Sequence, residues 1–295
     1  MSYIDLHMHS DISLDGEYTP AEIAAMCEEN HLEIVSLTDH NSIRGIREMK
    51  KALSPSGVRM IPGIELDCTY EELDLHVLGY GIDIEDKRYL QIEQDILSQK
   101  KASSKKRMEI LLELGILFEK EDVLKLAKDG VVVGEMIAEA ALADKRNENN
   151  PLLAAYRAGG SRSNNPYVNF FWDYCAQGKP AFLPIRYMSF AEAITLITKT
   201  GGIPVIAHPV NTVGRDEKII TDMVSQGIVG IESYSSYHSS DDRQYYHTLA
   251  KKLGVMETMG SDFHGKNKPS VSLGNTFGDG KEDELIKAME MFGVL

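Results

Sequence analysis

Cysteine is scarce in this 295-residue chain, and its three residues, Cys27, Cys68 and Cys175, form no Cys-x-x-Cys pair. An odd, scattered set excludes a disulfide framework and a thiolate zinc site. Long apolar runs are missing too: nothing approaches the ~18 residues of a membrane span. The start, Met1-Ser2-Tyr3-Ile4-Asp5-Leu6-His7, lacks the basic opening and apolar stretch of a secretion signal. The expectation is a cytoplasmic protein with no membrane partner. Positive charge is in deficit, with 31 Lys and Arg against 45 Asp and Glu for a formal net charge of −14. That field repels a long nucleic acid and favours small substrates. Gly-x-Ser-x-Gly is absent, and nothing suggests a Ser/His/Asp triad or a nucleophilic cysteine.

What is present is ordinary globular composition, 43% hydrophobic and 26% charged, divided into three stretches. Residues 1–85 alternate apolar runs with helical signals. Tyr3–Leu6, Ile34–Leu37, Val58–Ile64 and Leu75–Tyr80 read as strands. Thr19-Pro20-Ala21-Glu22 opens a helix with a capping box, and Ile43–Leu53 reads as a second helix. Such alternation implies βα units around a largely parallel sheet or barrel. Residues 86–188 change character. Helical periodicity marks Tyr89–Leu97, Met108–Leu114, Glu121–Lys128 and Gly134–Leu142, followed by a polar stretch, so this reads as a helical insertion of about 100 residues. Residues 189–295 resume the first pattern with a second capping box, Ser189-Phe190-Ala191-Glu192. Strands follow at Ile203–Ala207, Val229–Ser233 and Val255–Met259, with helices near 216–226 and 241–252.

Six of the nine histidines fall in short motifs at or near strands: Asp5-Leu6-His7-Met8-His9, Thr38-Asp39-His40-Asn41, Leu75-His76-Val77, Ala207-His208-Pro209 and Gly260-Ser261-Asp262-Phe263-His264. Gly63-Ile64-Glu65-Leu66 adds a carboxylate in the same setting. In a βα barrel the C-terminal strand ends converge on one face, and His7 and His9, at alternate positions, point the same way. Any one motif alone has an ordinary structural explanation. Their joint occurrence points to a metal centre, and mixed imidazole and carboxylate donors suit transition metals rather than Ca or Mg.

This set resembles the PHP (polymerase and histidinol phosphatase) superfamily, and within it the TrpH-like metal-dependent phosphoesterase branch. The similarity spans essentially the whole chain, most specifically Asp5–Ser10, Ser36–Asn41, Gly63–Leu66, Leu75–Tyr80, Ala207–Pro209, Gly260–Gly265 and Lys179–Pro184. The resemblance implies an α/β fold, a distorted (β/α)7 PHP barrel interrupted by a helical insertion domain, holding two to three divalent transition metals. Manganese leads, with zinc or iron as alternatives. It implies His7, His9, Glu65 and Asp262 on a first metal. Glu65 bridges to a second metal with His76 and His208, and Asp15, His40 and His264 hold a third. The family's His-x-His-Ser-x-x-Ser-Asp-Gly is one residue longer here, which leaves Asp11 as the alternative to Asp15.

The expected activity is a phosphoric ester hydrolase. Its nucleophile is a metal-bound hydroxide, with Glu65 and Asp262 as catalytic carboxylates. Small phosphomonoesters or cyclic phosphodiesters of nucleotides or sugar phosphates are the expected substrates. The alternatives are an exonuclease on short oligonucleotides and a non-catalytic protein whose metals only stabilise it. Lys105, Lys106 and Arg107, the one basic cluster, either reach a substrate phosphate or form a solvated helix face. Lys179 and His238 are further substrate-contact candidates.

Overall fold

The computed structural model describes residues 2–278 and 280–294. Its first part runs β1 (Ile4–Met8), α1 (Pro20–Glu29), β2 (Ile34–Leu37), α2 (Ile46–Leu53), β3 (Arg59–Met60), β4 (Gly63–Tyr70) and β5 (Leu73–Tyr80). Four helices follow: α3 (Lys87–Glu113), α4 (Lys120–Leu126), α5 (Gly134–Ala143) and α6 (Pro166–Tyr174). The chain then returns through β6 (Met188–Ser189), α7 (Phe190–Lys199), β7 (Ile203–Ile206), α8 (Glu217–Ser225), β8 (Gly230–Ser235), α9 (Ser240–Leu253), β9 (Met256–Gly260) and α10 (Glu282–Met291).

Strands β1, β2 and β3 form one parallel sheet, and the order β6-β4-β5-β7-β8-β9 forms another. Single bridges, His40 to Glu65 and Met8 to Phe263, join the two sheets at both margins. The His9 amide donates to the Phe263 carbonyl at 3.0 Å, and the Asp262 amide to the His7 carbonyl at 2.7 Å. The result is a closed barrel without free edges at these seams. One strand departs from the parallel expectation. β5 pairs antiparallel with both β4 and β7, because Glu71, at φ +54°, turns the chain straight back on itself. His76 therefore enters from inside a strand, directly opposite Asp67.

Both expected capping boxes form, at Thr19 with Glu22 and Ser189 with Glu192, and Ser239 with Asp242 adds a third. The two helical stretches expected within 89–114 are one 27-residue helix, α3. The serines at its centre do not break it, since Ser103 and Ser104 each return a hydrogen bond to the Lys100 carbonyl at 2.9 Å. Helices α6 and α10 had no counterpart in the periodicity. A separate apolar core, including Met108, Leu111, Ile137, Phe170 and Ala181, lies wholly within residues 108–181. Among the described residues no helix is long and apolar enough to cross a membrane.

The seam between β1 and β9 needs a residue without a side chain. A Cβ on Gly260 would stand 2.1 Å from the His7 Cβ and 2.7 Å from Glu232 Oε1. Gly260→Ala should therefore lower stability by about 1–3 kcal/mol, the usual cost of overpacking. The denaturant midpoint measures this, and a midpoint equal to that of the wild type would show that the seam can relax.

Candidate metal centre

The barrel mouth gathers the motif residues around a cavity of about 410 Å³. His7 lies one residue before the end of β1 and His9 follows the strand, both fully buried beneath the cavity floor. Asp15 comes from the loop after them, His40 from beyond β2, Glu65 and Asp67 from one face of β4, and His76 from β5. His208 follows β7, and Asp262 and His264 follow β9. Three non-glycine residues on these loops take left-handed backbone, Asn41 (φ +55°), His208 (φ +23°) and Asp262 (φ +57°). Such strain persists only where surrounding bonds over-determine it, as the seam does at Asp262.

Glu65 is the centre of the arrangement. Its Oε2 lies 3.3 Å from His7 Nε2, 3.1 Å from His9 Nε2 and 3.2 Å from His40 Nδ1. Its Oε1 lies 2.9 Å from His76 Nδ1 and 3.1 Å from His208 Nε2. Asp262 Oδ1 completes the first group, 3.4 Å from His7 Nε2 and 3.2 Å from His9 Nε2. In a third group His264 Nε2 lies 3.3 Å and His40 Nε2 3.9 Å from Asp15 Oδ2, which places Asp15 rather than Asp11 against them. Asp67, unnoticed in the sequence, sits between His40 at 3.2 Å and His76 at 3.4 Å.

These donors fit divalent cations. His7 Nδ1 meets Glu232 Oε1 at 2.9 Å, so an ion held by Nε2, which faces His9, Glu65 and Asp262, would leave the ring proton on Nδ1. Donor atoms ~2.1 Å from one ion stand roughly 3.0–3.4 Å apart, and the spacings in this first group run from 3.1 to 3.4 Å. Asp15 Oδ1, His40 Nδ1, Glu65 Oε2 and Asp67 Oδ1 are buried with no hydrogen-bond partner. Buried polar atoms without partners are costly, and a cation would satisfy them. Burial, with His264 and His40 alongside, pushes the His9 imidazole down to about 4. At His7, His40 and His76 burial is outweighed by the neighbouring carboxylates, which raise them, so a bound ion would displace their protons. At Glu65 burial works to raise the carboxyl, but His76, His7 and His40 outweigh it and hold it well below the usual glutamate range.

Around this floor the structure redistributes the expected substrate contacts. The cavity-facing side of α3 carries Glu93, Ile96, Leu97, Lys100 and Arg107, following the helical i, i+3, i+4, i+7 spacing. Arg107 thus reaches the cavity, its Nε buried and unpartnered, whereas Lys105 and Lys106 are exposed on other faces of the helix. Lys105 pairs with Glu109 at 3.9 Å. Lys179 is an exposed residue at the cavity rim. His238 does not face the site: it is buried against Tyr246, and Nδ1 meets the Ser233 carbonyl at 2.9 Å. Phe171, Trp172, Phe182, Ile185 and Tyr187 supply apolar wall. Glu135, at the start of α5, also lines the cavity, and burial and then Asp15 raise its carboxyl to about 7.

Sequence reasoning missed four polar residues here: Asp67, Lys100, Glu232 and Lys268. Asp67 was detectable, since it lies two residues beyond Glu65 on the same strand face. Lys100 lies shortly before the basic cluster at Lys105–Arg107, and only the helix phase sets it on the cavity side. Glu232 is a carboxylate inside an apolar strand, fully buried. It joins His7 Nδ1 through one oxygen and the His208 amide through the other, at 2.7 Å.

The chain is similar to several known proteins. The PHP domain family matches residues 5–156. A 5'-3' exoribonuclease of Haemophilus influenzae is 31% identical over 263 residues, covering 88% of this chain and 89% of that protein. A 3',5'-nucleoside bisphosphate phosphatase of Chromobacterium violaceum is 28% identical, with 94% and 92% covered. The structure of a Chromobacterium violaceum amidohydrolase with bound sulfate superposes with a TM-score of 0.73 at 25% identity, covering 92% of this chain and 91% of that one.

Glu232→Gln tests whether the carboxylate behind the histidines matters. Loss of such an outer partner typically weakens metal affinity or activity about 10- to 100-fold. Chelator competition should report a fall of that size with the fold retained, and undiminished affinity would make Glu232 a bystander.

Proposed function

The chain belongs to the PHP domain family, and from that premise we propose that it is a metal-dependent phosphoesterase acting on small phosphomonoesters or cyclic phosphodiesters of nucleotides or sugar phosphates. The observation that carries the reading is Glu65, whose two oxygens divide between two histidine groups on the floor of a walled cavity. His7, His9, Glu65 and Asp262 would hold one ion, and Glu65, His76 and His208 a second. Asp15, His40 and His264 would hold a third, with Asp67 between His40 and His76. The family resemblance favours manganese, and zinc or iron also fit the mixed nitrogen and oxygen donors. When bound, such ions make water acidic near neutral pH and neutralise phosphoryl charge.

The chain's own residues do the rest. Asp262 Oδ1, turned toward His7 and His9, takes the proton of the attacking water. Glu232 holds the His7 ring in its ligand tautomer. Lys100, whose Nζ stands 3.7 Å from Asp67 Oδ2, and Arg107 line the cavity and offer charge-assisted hydrogen bonds to an anionic substrate. The aromatic wall excludes water from one side of it. A second reading, an exonuclease on short oligonucleotides, is favoured by the likeness to the Haemophilus influenzae exoribonuclease. The helical roof and the net charge of −14 weigh against long chains.

Assaying the manganese-loaded protein on nucleoside monophosphates, bisphosphates, cyclic phosphates and oligonucleotides separates the readings. Turnover should concentrate on the small esters, and equal cleavage of long oligonucleotides would transfer the assignment to the nuclease. Glu65→Gln should abolish turnover with the fold intact. A loss smaller than about tenfold, ~1.4 kcal/mol of barrier, would remove Glu65 from the bridging role.

Lys100→Met with Arg107→Met should raise KM for a phosphate ester about tenfold or more, given the strength of hydrogen bonds to charged groups. Charge reversal at Lys105 and Lys106 should leave KM unaltered. The same KM in both double variants would mean the roof makes no phosphate contact.

A further inference from the structure

Lys268 is a buried ammonium that the metal groups do not account for. It follows the motif histidine in Gly260-Ser261-Asp262-Phe263-His264-Gly265-Lys266-Asn267-Lys268 and is 4% exposed, yet it lines the same cavity. The turn that carries it is fixed at three points. The Lys268 amide donates to the Gly265 carbonyl at 3.0 Å, the Val271 amide to the Lys268 carbonyl at 2.9 Å, and the Asn267 side-chain amide to the Asp15 carbonyl. Its Nζ bonds Asp262 Oδ2 and stands 4.8 Å from the centroid of the Tyr237 ring. The other oxygen of Asp262 faces His7 and His9. Lys268 is thus one carboxylate away from the first donor group.

An ammonium has three N–H donors. Asp262 takes one, and the Tyr237 face is a cation–π partner for the charge. Residual donor capacity is left at the cavity. Burying a lysine only to neutralise Asp262 would be a poor use of an expensive group, because desolvation offsets most of such a pair's attraction. A cation at the first group would compensate Asp262 from its other side. The ammonium then becomes surplus positive charge beside the metal groups, and the ligand such a surplus recognises is a compact polyanion.

Resting on the phosphoesterase reading, we propose that Lys268 is a catalytic residue that donates a hydrogen bond from Nζ to a non-bridging phosphoryl oxygen of the substrate. Asp262 Oδ2 and the Tyr237 ring fix the ammonium from two sides, so it needs little reorganisation as charge develops on that oxygen. No proton is transferred and no bond to Lys268 forms. The interaction exists in the substrate complex, strengthens in the transition state, and persists weakly with orthophosphate as product.

Lys268→Met, nearly equal in size and lacking the charge, is the test, made on the manganese-loaded protein. Calorimetric titration with orthophosphate should show a Kd raised about tenfold or more. The kcat on an ester hydrolysed by the wild type should fall about a hundredfold, as for loss of one preorganised donor. Metal content and thermal midpoint should match the wild type. Lys268→Gln, which keeps a polar contact to Asp262 but no charge, should behave the same way and serves if the Met variant does not fold. Unchanged phosphate affinity in a metal-replete variant overturns the proposal. So does a loss of phosphate affinity that disappears once metal is restored, since Lys268 would then act only by holding Asp262. The titration needs no turnover, so phosphate binding by a wild type inactive on every ester would sink the proposed function while still deciding the role of Lys268.

Discussion

Glu65 is a fully buried carboxylate, and the rest of the site is arranged to make that burial tolerable. A lone ionised carboxylate in a protein interior is costly enough that it usually takes up a proton. Here it is held ionised by imidazoles on both sides. Asp15, Asp67 and Asp262 repeat the problem within a few ångströms. Four carboxylates and six histidines crowded together cannot all reach charge balance through hydrogen bonds with one another, and the unpartnered buried atoms register the shortfall. Divalent cations meet it in the one way that also serves chemistry.

That demand explains features of the fold that a plain βα barrel would not need. A strand exit supplies residues pointing into the mouth, but Glu65 must present its two oxygens to two groups at once. The reversed strand β5 solves this by laying His76 directly across from Asp67, beside Glu65. The Gly260 seam lets β1 approach β9 closely enough for His7 to share Asp262 with His9. Glu232, from β8, reaches under both His7 and His208 and so ties the two groups on which Glu65 depends into one unit.

How much of this was legible follows from how local each signal is. The motif histidines, Glu65 and Asp262 were visible because they combine unusual residue types with strand exits, and both expected capping boxes formed because that signal spans four residues. The direction of β5 was hidden, since it depends on the backbone at Glu71 rather than on hydrophobic pattern. The continuity of α3 was hidden by serines that bond back to their own helix. The basic cluster was read as a block, when only the phase of a helix assembled from distant contacts selects Lys100 and Arg107 over Lys105 and Lys106. Glu232 and Lys268 carry no local mark at all: their roles exist only where β8 and the last loop meet β1.

The helical segment is bound to the loops whose side chains form the site, and this makes the roof part of the centre rather than an accessory. Lys128 Nζ donates to the carbonyl oxygens of Asp11 and Ser13, each at 3.2 Å, and also to that of Gly16, so it clasps the lengthened loop that carries Asp15. Asp39 grips the same loop from the barrel side through Ser10 and Ser13. Lys266 Nζ reaches Glu139 at 2.7 Å, and Asn165 accepts from the amide and hydroxyl of Ser270, which ties α5 and the start of α6 to the loop after Asp262. Gln177 donates to the Glu72 carbonyl at 2.7 Å, on the turn that reverses β5. Changes in this segment therefore act on the position of Asp15 and on the turn carrying Lys268 as well as on the cavity wall. The segment that shapes the cavity wall thus also sets the loops that complete its floor.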